Sequence, residues 1–415
     1  MVGTGVFTSL GFQLKDIPSG FPIMMLWAIG GVVSLCGAFC YAELVAMMPR
    51  SGGEYHLLSR VYHPMVGFLA GWVSLIAGFA APIAAAALLF GSYAHQLWPG
   101  LHEQAVAIGL VLLVTLVQLG HLKLVEGFQL AFTILKVLLI LIFILGACWF
   151  GAGQWHLLIP KAGDSVHFLT EPYAVSLVYV MYAYAGWNGA VYMAGDLKDP
   201  QRNLPRALLF GTLIVMMLYL ALNAVFLVSA PWEAMQDKPQ VAFVAAQAIF
   251  GDRGGEAMGL LIALGLIAHL SVLIYAGTSV LRVMGQDVKS LHWLDKPNAK
   301  GAPWISVVML MTLVLVLMLS GTFNQLLLYI QGLLLVSSLL CIAAVPLLRW
   351  RKPDAPRPFK VPLYPLPPLV FMGVALWMLV ALVRERPVES AWGAVTLLVG
   401  AGVYKMSGKK GIPTP

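Results

Sequence analysis

Long apolar segments follow one another along almost the whole of this chain, with only short polar connections between them. A helix that crosses a bilayer needs about 20 mainly apolar residues. Sixty per cent of the residues are hydrophobic and only 10% are charged, far from the composition of a water-soluble domain. We therefore predict an all-α membrane protein. An apolar fragment at 1–14 counts as the first span, and eleven further segments qualify as the second to the twelfth: 22–47, 64–90, 105–120, 126–150, 174–195, 207–230, 257–281, 303–320, 324–348, 366–383 and 389–405.

The basic residues predict the orientation of these spans. If the first fragment ends outside, eighteen of the 25 lysine and arginine residues lie in loops on one side of the membrane and six on the other. Cytoplasmic loops are the ones enriched in lysine and arginine. The C-terminus is then cytoplasmic. The short termini and loops are typical of bacterial proteins, so we expect a multi-pass protein of the plasma membrane, in bacteria the inner membrane.

The apolar fragment at 1–14 is too short to be a complete span. With the later helices in place, the α-amino group would begin near the middle of the bilayer, where a charge costs at least about 2.5–3.5 kcal/mol. We expect roughly 15 further residues upstream. The first helix is then truncated at its N-terminal half in this sequence.

Two of the predicted helices carry glycine-rich interruptions in matching places. One is Gly3-Thr4-Gly5, and the other lies in the sixth span at 182–189. Each belongs to the first element of a five-helix block, 1–150 and 174–348, which suits an inverted repeat. The segment at 151–173 is then an external loop, and 349–415 holds two added spans and a cytoplasmic tail.

An interrupted helix exposes backbone groups that can bind charged ligands. The N-terminus of a half-helix attracts a carboxylate through its free N–H groups and its dipole. Carbonyl groups at an opposing helix end can accept hydrogen bonds from an ammonium group. A zwitterionic amino acid carries both charges at a suitable separation. The alternative, that these glycines only allow close helix packing, stays open at this point.

Four stretches of the sequence are similar to motifs of a known family. The chain resembles the amino acid–polyamine–organocation (APC) superfamily, and within it the L-type amino acid transporters. The resemblance extends from the start of the chain to beyond residue 300. Its motifs are Gly3-Thr4-Gly5-Val6-Phe7, Tyr41-Ala42-Glu43-Leu44 with the run 49–55, Tyr182-Ala183-Tyr184-Ala185-Gly186-Trp187-Asn188 with the run 199–205, and, more weakly, Gly285-Gln286-Asp287 with the run 300–303.

The resemblance implies a five-plus-five inverted-repeat fold with two extra helices and alternating access to a central site. By similarity, the backbone amides around Gly3, Thr4 and Gly5 would hold the carboxylate of the substrate.

The same resemblance places the ammonium group of the substrate at the other break. Carbonyl groups at Met1, at Tyr182 and around Ala185, beside Gly186, would receive it. Tyr182 also stands where the family has an aromatic gate, and Asn188 where a polar residue supports the region. Ordinary aromatic packing is the alternative for Tyr182.

Lys136 lies ten residues into the fifth predicted span, and an intramembrane lysine is a functional candidate by default. Similarity to sodium-independent relatives implies that it replaces a sodium ion as a tethered cation. Two mechanisms then remain: exchange of one amino acid for another, or proton-coupled uptake if Lys136 releases its proton. Two other polar residues within spans have more ordinary interpretations: we expect Glu43 to form a structural ion pair or loop anchor, and His269 to be a packed residue rather than a proton relay.

The sequence contains no motif for an enzyme or a metal site. Neither His-Glu-x-x-His nor Gly-x-Ser-x-Gly occurs, and the four cysteines lie inside apolar runs without metal-ligand spacing, so we expect no cofactor and no metal. A channel needs a continuous polar lining, which these spans lack. A non-transporting nutrient sensor would bring long cytoplasmic extensions, whereas only ten residues follow position 405.

The absence of charged residues at the two breaks favours a neutral amino acid as the substrate. Animal members of the family join a heavy chain through a cysteine in the loop after the third span. The corresponding loop here, 92–104, has no cysteine, so we expect no disulfide-linked partner and no nucleic acid partner. The sequence therefore predicts a secondary active transporter of neutral amino acids in the lipid bilayer.

Overall fold

The computed structural model describes residues 3–50, 52–119, 123–150, 153–186, 189, 191–192, 199–287, 289–298, 303–321 and 323–406, with the backbone alone at 123–133, 136, 287 and 289–290. These residues form helices and connecting loops, and no strand occurs among them. Sixteen α-helices are found there: α1 Gly5–Asp16, α2 Gly20–Met47, α3 Gly53–Val61, α4 Pro64–Val73, α5 Ala81–Leu97, α6 Glu103–Gln118, α7 Lys123–Phe150, α8 Glu171–Tyr184, α9 Pro200–Ser229, α10 Trp232–Met235, α11 Val241–Phe250, α12 Asp252–Asp287, α13 Trp304–Ser320, α14 Phe323–Arg351, α15 Leu366–Glu385 and α16 Pro387–Met406.

The predicted all-α membrane fold is confirmed. Within the described part of the chain, six helical stretches are long and apolar enough to cross a membrane on their own: Gly20–Met47, Pro64–Leu97, Pro200–Ser229, Asp252–Gln286, Phe323–Arg351 and Leu366–Glu385. Shorter apolar helices are Glu103–Gln118, Val137–Phe150, Val241–Phe250 and Trp304–Ser320. Each predicted span coincides with one of the helices, and the sixth differs most because α8 ends at Tyr184.

Three helices have no counterpart among the predicted spans: the four-residue α10, α3 and α11. α3 is a short helix with a buried apolar side, and its exposed Arg60 lies near its end. α11 has only ten residues. Both are too short to cross a bilayer, and they pack on the long helices instead, α3 on α14 and α11 on α12.

The stretch from α4 to α5 is one continuous helical rod with a π-helical insertion at Ser74–Ala80. Pro82 is the second residue after this insertion. Because proline has no N–H and its ring clashes with the preceding turn, it disturbs the regular hydrogen-bond pattern of a helix here. A π-bulge is a common way to absorb such a disruption.

α1 and α8 pack side by side and run in opposite directions. The Ser9 hydroxyl donates to the Tyr179 carbonyl at 3.1 Å, and the Phe12 ring stacks on the Tyr179 ring at 5.5 Å between centroids. One turn further along α1, the Gln13 amide lies 3.5 Å from the Ser176 carbonyl. As the α1 residue numbers rise, the α8 numbers fall. The start of α1 therefore lies beside the end of α8.

Glu43 near the end of α2 is buried and forms the predicted structural ion pair. Arg349 of α14 donates to its two carboxylate oxygens at 3.0 and 2.5 Å, and Arg357 lies 3.5 Å away. The backbone N–H of Val361 also donates to it, at 2.7 Å. Glu43 thus anchors the α14–α15 loop, and both parts of the prediction are confirmed.

A second buried carboxylate joins α3 to its neighbours. Glu54 accepts a hydrogen bond from the Tyr41 hydroxyl of α2 at 2.5 Å and another from the Ser337 hydroxyl of α14. These contacts fix the short helix α3 against two long ones.

Candidate functional site

The helix α8 stops abruptly at Tyr184. Ala185 adopts an extended conformation with ψ of 155°, and Gly186 has φ of +96°. A residue with a side chain rarely adopts a φ in this region, so the position favours glycine. The helix therefore ends at the predicted break, Ala185-Gly186. The Tyr182 carbonyl accepts from the Ala185 N–H at 3.1 Å, and other carbonyl groups of a last helical turn lack helical N–H donors.

The first turn of α1 lies directly against the last turn of α8. Gly5, the first residue of α1, is packed so closely that a Cβ atom there would lie 2.5 Å from the Ala183 Cα. No side chain fits in that space. At a helix start the first N–H groups lack intrahelical acceptors, and the Thr4 side chain does not cap them.

The side chains of Thr4 and Tyr182 connect the two helix ends. Their hydroxyl oxygens are 2.9 Å apart, and both residues are buried. The positive end of the α1 dipole and the negative end of the α8 dipole are therefore neighbours at this junction.

Three aromatic side chains pack together on one side of the junction. The Tyr184 and Tyr219 ring centroids are 5.1 Å apart, and Trp27 lies 5.9 Å from Tyr184 and 5.8 Å from Tyr219. Tyr184 donates from its hydroxyl to the Trp27 carbonyl at 3.1 Å. The Tyr219 hydroxyl is hydrogen-bonded to the Gly3 backbone. This cluster supports both helix ends from the side of α2 and α9.

A small cavity adjoins Ala185. Its walls carry two polar side chains of α14, Gln331 and Ser338, both buried. The Gln331 Oε1 atom is buried and has no hydrogen-bond partner among the described residues. A buried amide oxygen without a donor is costly. The other walls are apolar: Met181, Leu334, Leu335 and Phe371.

A second cavity lies on the opposite side of the junction, next to Gly3. It is also small and is mostly lined by apolar residues of α1, α7, α9, α11 and α12. The half-buried His269 of α12 is its polar side chain, and its ring approaches within 3.1 Å of the position that a Cβ on Gly3 would occupy.

The structure brings most of the predicted site residues together. Those that meet at the junction are Gly3, Thr4, Gly5, Tyr182, Ala185 and Gly186. Met1 and Asn188 lie outside the described residues. Lys136 belongs to α7, but its side chain also lies outside the described part.

Sequence reasoning missed the α14 contribution to the site. Gln331 and Ser338 are polar residues within an apolar span, and such residues usually face a neighbouring helix. Their spacing of seven residues places them on one helix face. From this seven-residue spacing, a shared polar face on α14 could have been predicted.

A bundle of apolar helices in which two antiparallel helix ends meet beside buried cavities is the architecture of a secondary membrane transporter. The sequence profile of the family described as Amino acid permease matches residues 1–401. The chain belongs to this family.

Individual relatives are similar over nearly the whole chain. The b(0,+)-type amino acid transporter 1 of Mus musculus is 27% identical over 408 residues, covering 94% of this chain and 81% of the relative. The Large neutral amino acids transporter small subunit 2 of Homo sapiens is 27% identical, covering 97% and 77%. The Serine/threonine exchanger SteT of Bacillus subtilis (strain 168) is 26% identical, covering 97% and 92%. All three are amino acid transporters rather than enzymes, as the sequence analysis expects of this chain.

Proposed function

We propose that this protein exchanges neutral amino acids across the membrane by alternating access, without using sodium. The observation that carries the proposal is the junction of the start of α1 with the end of α8. There, the N–H end of α1 and the carbonyl end of α8 lie side by side within a buried region. The N–H groups would bind the carboxylate of an amino acid, and the carbonyl groups would bind its ammonium group.

A neutral side chain suits the cavities beside this junction. Among the described residues that line the cavity at Ala185, the polar groups are an amide and a hydroxyl. The cavity beside Gly3 has a histidine and otherwise apolar walls. A cationic or anionic side chain buried here would lack an opposite charge, which is costly.

The antiparallel course of α1 and α8 supports the inverted repeat of 1–150 and 174–348. Two helices in equivalent positions of an inverted repeat run in opposite directions across the membrane. Exchange as the mechanism is supported by similarity to the Serine/threonine exchanger SteT. Sodium independence depends on Lys136 acting as the tethered cation.

The membrane and the orientation that we propose for the protein depend on where its basic residues lie. We propose a plasma membrane protein with a cytoplasmic C-terminus, on the side where the Glu43–Arg349 anchor and the basic residues after it lie. The loop at 92–104 has no cysteine, so the protein would act without a disulfide-linked heavy chain.

The proposal is tested with the purified protein in liposomes. Uptake of a radiolabelled neutral amino acid is measured with unlabelled amino acid inside, with an inward proton gradient, or with a sodium gradient. Exchange predicts uptake that depends on the internal amino acid alone. Uptake driven by external acid would instead establish proton symport, and a protein that binds amino acids without moving them would be a sensor.

The variant Lys136→Ala tests the tethered cation. It should abolish exchange or make it dependent on sodium, whereas Lys161→Ala, in the loop before α8, should exchange normally. Normal, sodium-independent kinetics of Lys136→Ala would remove Lys136 from the mechanism.

A further inference from the structure

A large open groove lies on the outer surface of the helix bundle, away from the junction of α1 and α8. It has an empty volume of about 1040 Å³. Its walls come from α2, from the first half of α9 and from the segment before α15: Leu35, Phe39, Gln201, Arg202, Pro205, Arg206, Leu209, Phe210, Leu213, Pro358 and Phe359.

The α9 wall of this groove is charged at one end and apolar along the rest. Arg202, Arg206, Leu209 and Leu213 follow one another at intervals of three or four residues, so they lie along one face of the helix. From Arg202 to Leu213 this face extends about 16 Å at 1.5 Å per residue. Arg202 and Arg206 thus lie at one end of an apolar strip formed by Leu209 and Leu213.

The two arginines are available to an external anion. Both are exposed, and within the described residues neither forms an ion pair. Arg349 and Arg357, by contrast, are held by the buried Glu43. Guanidinium groups bind phosphate oxygens with well-matched, charge-assisted hydrogen bonds.

The apolar part of the groove faces the surroundings of the bundle. The side chains of Phe210 and Leu213 are 64% and 45% exposed, and α9 is one of the helices apolar enough to cross the membrane. Lipid chains therefore surround this face. A ligand that binds both the two arginines and the apolar strip therefore needs a phosphate at one end and a hydrocarbon chain at the other.

We propose that the groove is a binding site for one anionic phospholipid. The phosphate is held between Arg202 and Arg206, and an acyl chain lies along Leu209 and Leu213 against Phe39 of α2. Basic pockets between membrane helices are a recognised setting for anionic lipid headgroups.

Binding of lipid to the purified full chain tests this proposal by native mass spectrometry in detergent. The probes are dioleoyl phosphatidylglycerol, the zwitterionic dioleoyl phosphatidylcholine and glycerol 3-phosphate, which has the anionic headgroup without acyl chains. We expect one tightly bound phosphatidylglycerol per protein. Phosphatidylcholine should bind much more weakly, and glycerol 3-phosphate should not displace the lipid.

The double variant Arg202→Gln/Arg206→Gln should weaken phosphatidylglycerol binding about 25-fold, from about fivefold for each charge removed. The matched control is Arg351→Gln/Lys352→Gln, which removes two exposed charges at the end of α14 outside the groove. It should bind phosphatidylglycerol like the wild type. Equal weakening by both double variants would contradict the proposal, because it would show a general effect of surface charge.

A third variant tests the apolar part of the groove and keeps both arginines. Leu213→Trp places a large ring in the chain-binding strip and should reduce phosphatidylglycerol occupancy severalfold. If the arginine variant fails to fold, this variant decides the outcome. Full binding by Leu213→Trp, equal binding of phosphatidylcholine, or displacement of the lipid by glycerol 3-phosphate would overturn the proposal.

Discussion

The Thr4 hydroxyl lies 2.9 Å from the Tyr182 hydroxyl, 178 positions away in the chain. This contact joins Thr4, the residue before α1, to the last turn of α8. A buried hydrogen bond of this kind contributes about 1 kcal/mol to the free energy of unfolding.

A double-mutant cycle tests the link between Thr4 and Tyr182. Thr4→Val and Tyr182→Phe should each lower the free energy of unfolding by about 1 kcal/mol, and the double variant should lose little more than either single one. The free energies are measured by denaturant unfolding in mixed micelles. Additive losses in the double variant would show that the two hydroxyl groups do not interact.

Gly5→Ala should disrupt the junction without changing the chemistry of any side chain at the site. The new Cβ would lie 2.5 Å from the Ala183 Cα, so the two helices must move apart, at a cost of about 1–3 kcal/mol. We expect amino acid uptake to fall at least tenfold. The matched control is Gly211→Ala in α9, where a Cβ meets nothing within 4 Å. Equal uptake by the two variants would contradict close packing at Gly5.

Gln331→Leu should leave the protein as stable as the wild type, or more stable by about 1–3 kcal/mol, because it removes a buried oxygen without a partner. Gln118→Leu is the control. Gln118 is also buried, but it donates to the Ser271 carbonyl and hydroxyl at 2.9 and 2.7 Å, so its loss should lower the melting temperature. A Gln331→Leu protein as destabilised as Gln118→Leu would show that Gln331 has a structural partner.

The same Gln331 variant reports on substrate choice. If the Gln331 oxygen faces the substrate, the leucine variant should lose affinity for serine relative to alanine by about fivefold, the value of one hydrogen bond. Competition of each amino acid against labelled uptake gives this ratio. An unchanged ratio would separate Gln331 from the substrate.

Much of the fold follows from the sequence because the bilayer imposes a simple length rule. The apolar spans coincide with helices, and the turn at Gly186 was foreseeable because glycine tolerates the positive φ found there. The ion pair of Glu43 was also foreseeable, since a carboxylate near the end of an apolar span needs a compensating charge.

Other features depend on contacts between distant parts of the chain. Nothing in the local sequence distinguishes Gln331, whose Oε1 has no partner, from the paired Gln118, because both are glutamines with apolar neighbours in a helix. The contact of Glu54 with Ser337 joins residues 283 positions apart. The ten residues of α11 are too few for the length rule, and their helix depends on packing against α12.

Low pH should destabilise the loop before α8 because it protonates Asp164. The Ser19 hydroxyl donates to one carboxylate oxygen at 2.6 Å and the Lys161 backbone N–H to the other at 2.7 Å. These hydrogen bonds lower the pKa of Asp164 below its ordinary value of 3.8. A lowered pKa in the folded state stabilises the protein at pH values above 3.8, and this stabilisation is lost as the pH falls through the folded-state pKa.

Melting temperatures of the wild type and Asp164→Asn, measured between pH 7 and pH 3, check this expectation. The wild type should melt higher at pH 7, and the difference should shrink once the pH falls below about 4. Asp354→Asn, at an exposed loop position, should follow the wild type throughout. A difference for Asp164→Asn that does not depend on pH would rule out the charge as its cause.

The most direct test of the account is whether the protein needs both charges of an amino acid. Labelled alanine exchange in liposomes is competed with alanine, alanine methyl ester and N-acetylalanine. The methyl ester lacks the carboxylate that the N–H groups of α1 would bind, and the acetylated compound lacks the ammonium group that the carbonyls of α8 would bind. We predict that alanine competes and that each derivative competes at least a hundredfold less well, the loss of roughly two charge-assisted hydrogen bonds. Competition by either derivative at the level of alanine would contradict recognition of the zwitterion by the two helix ends.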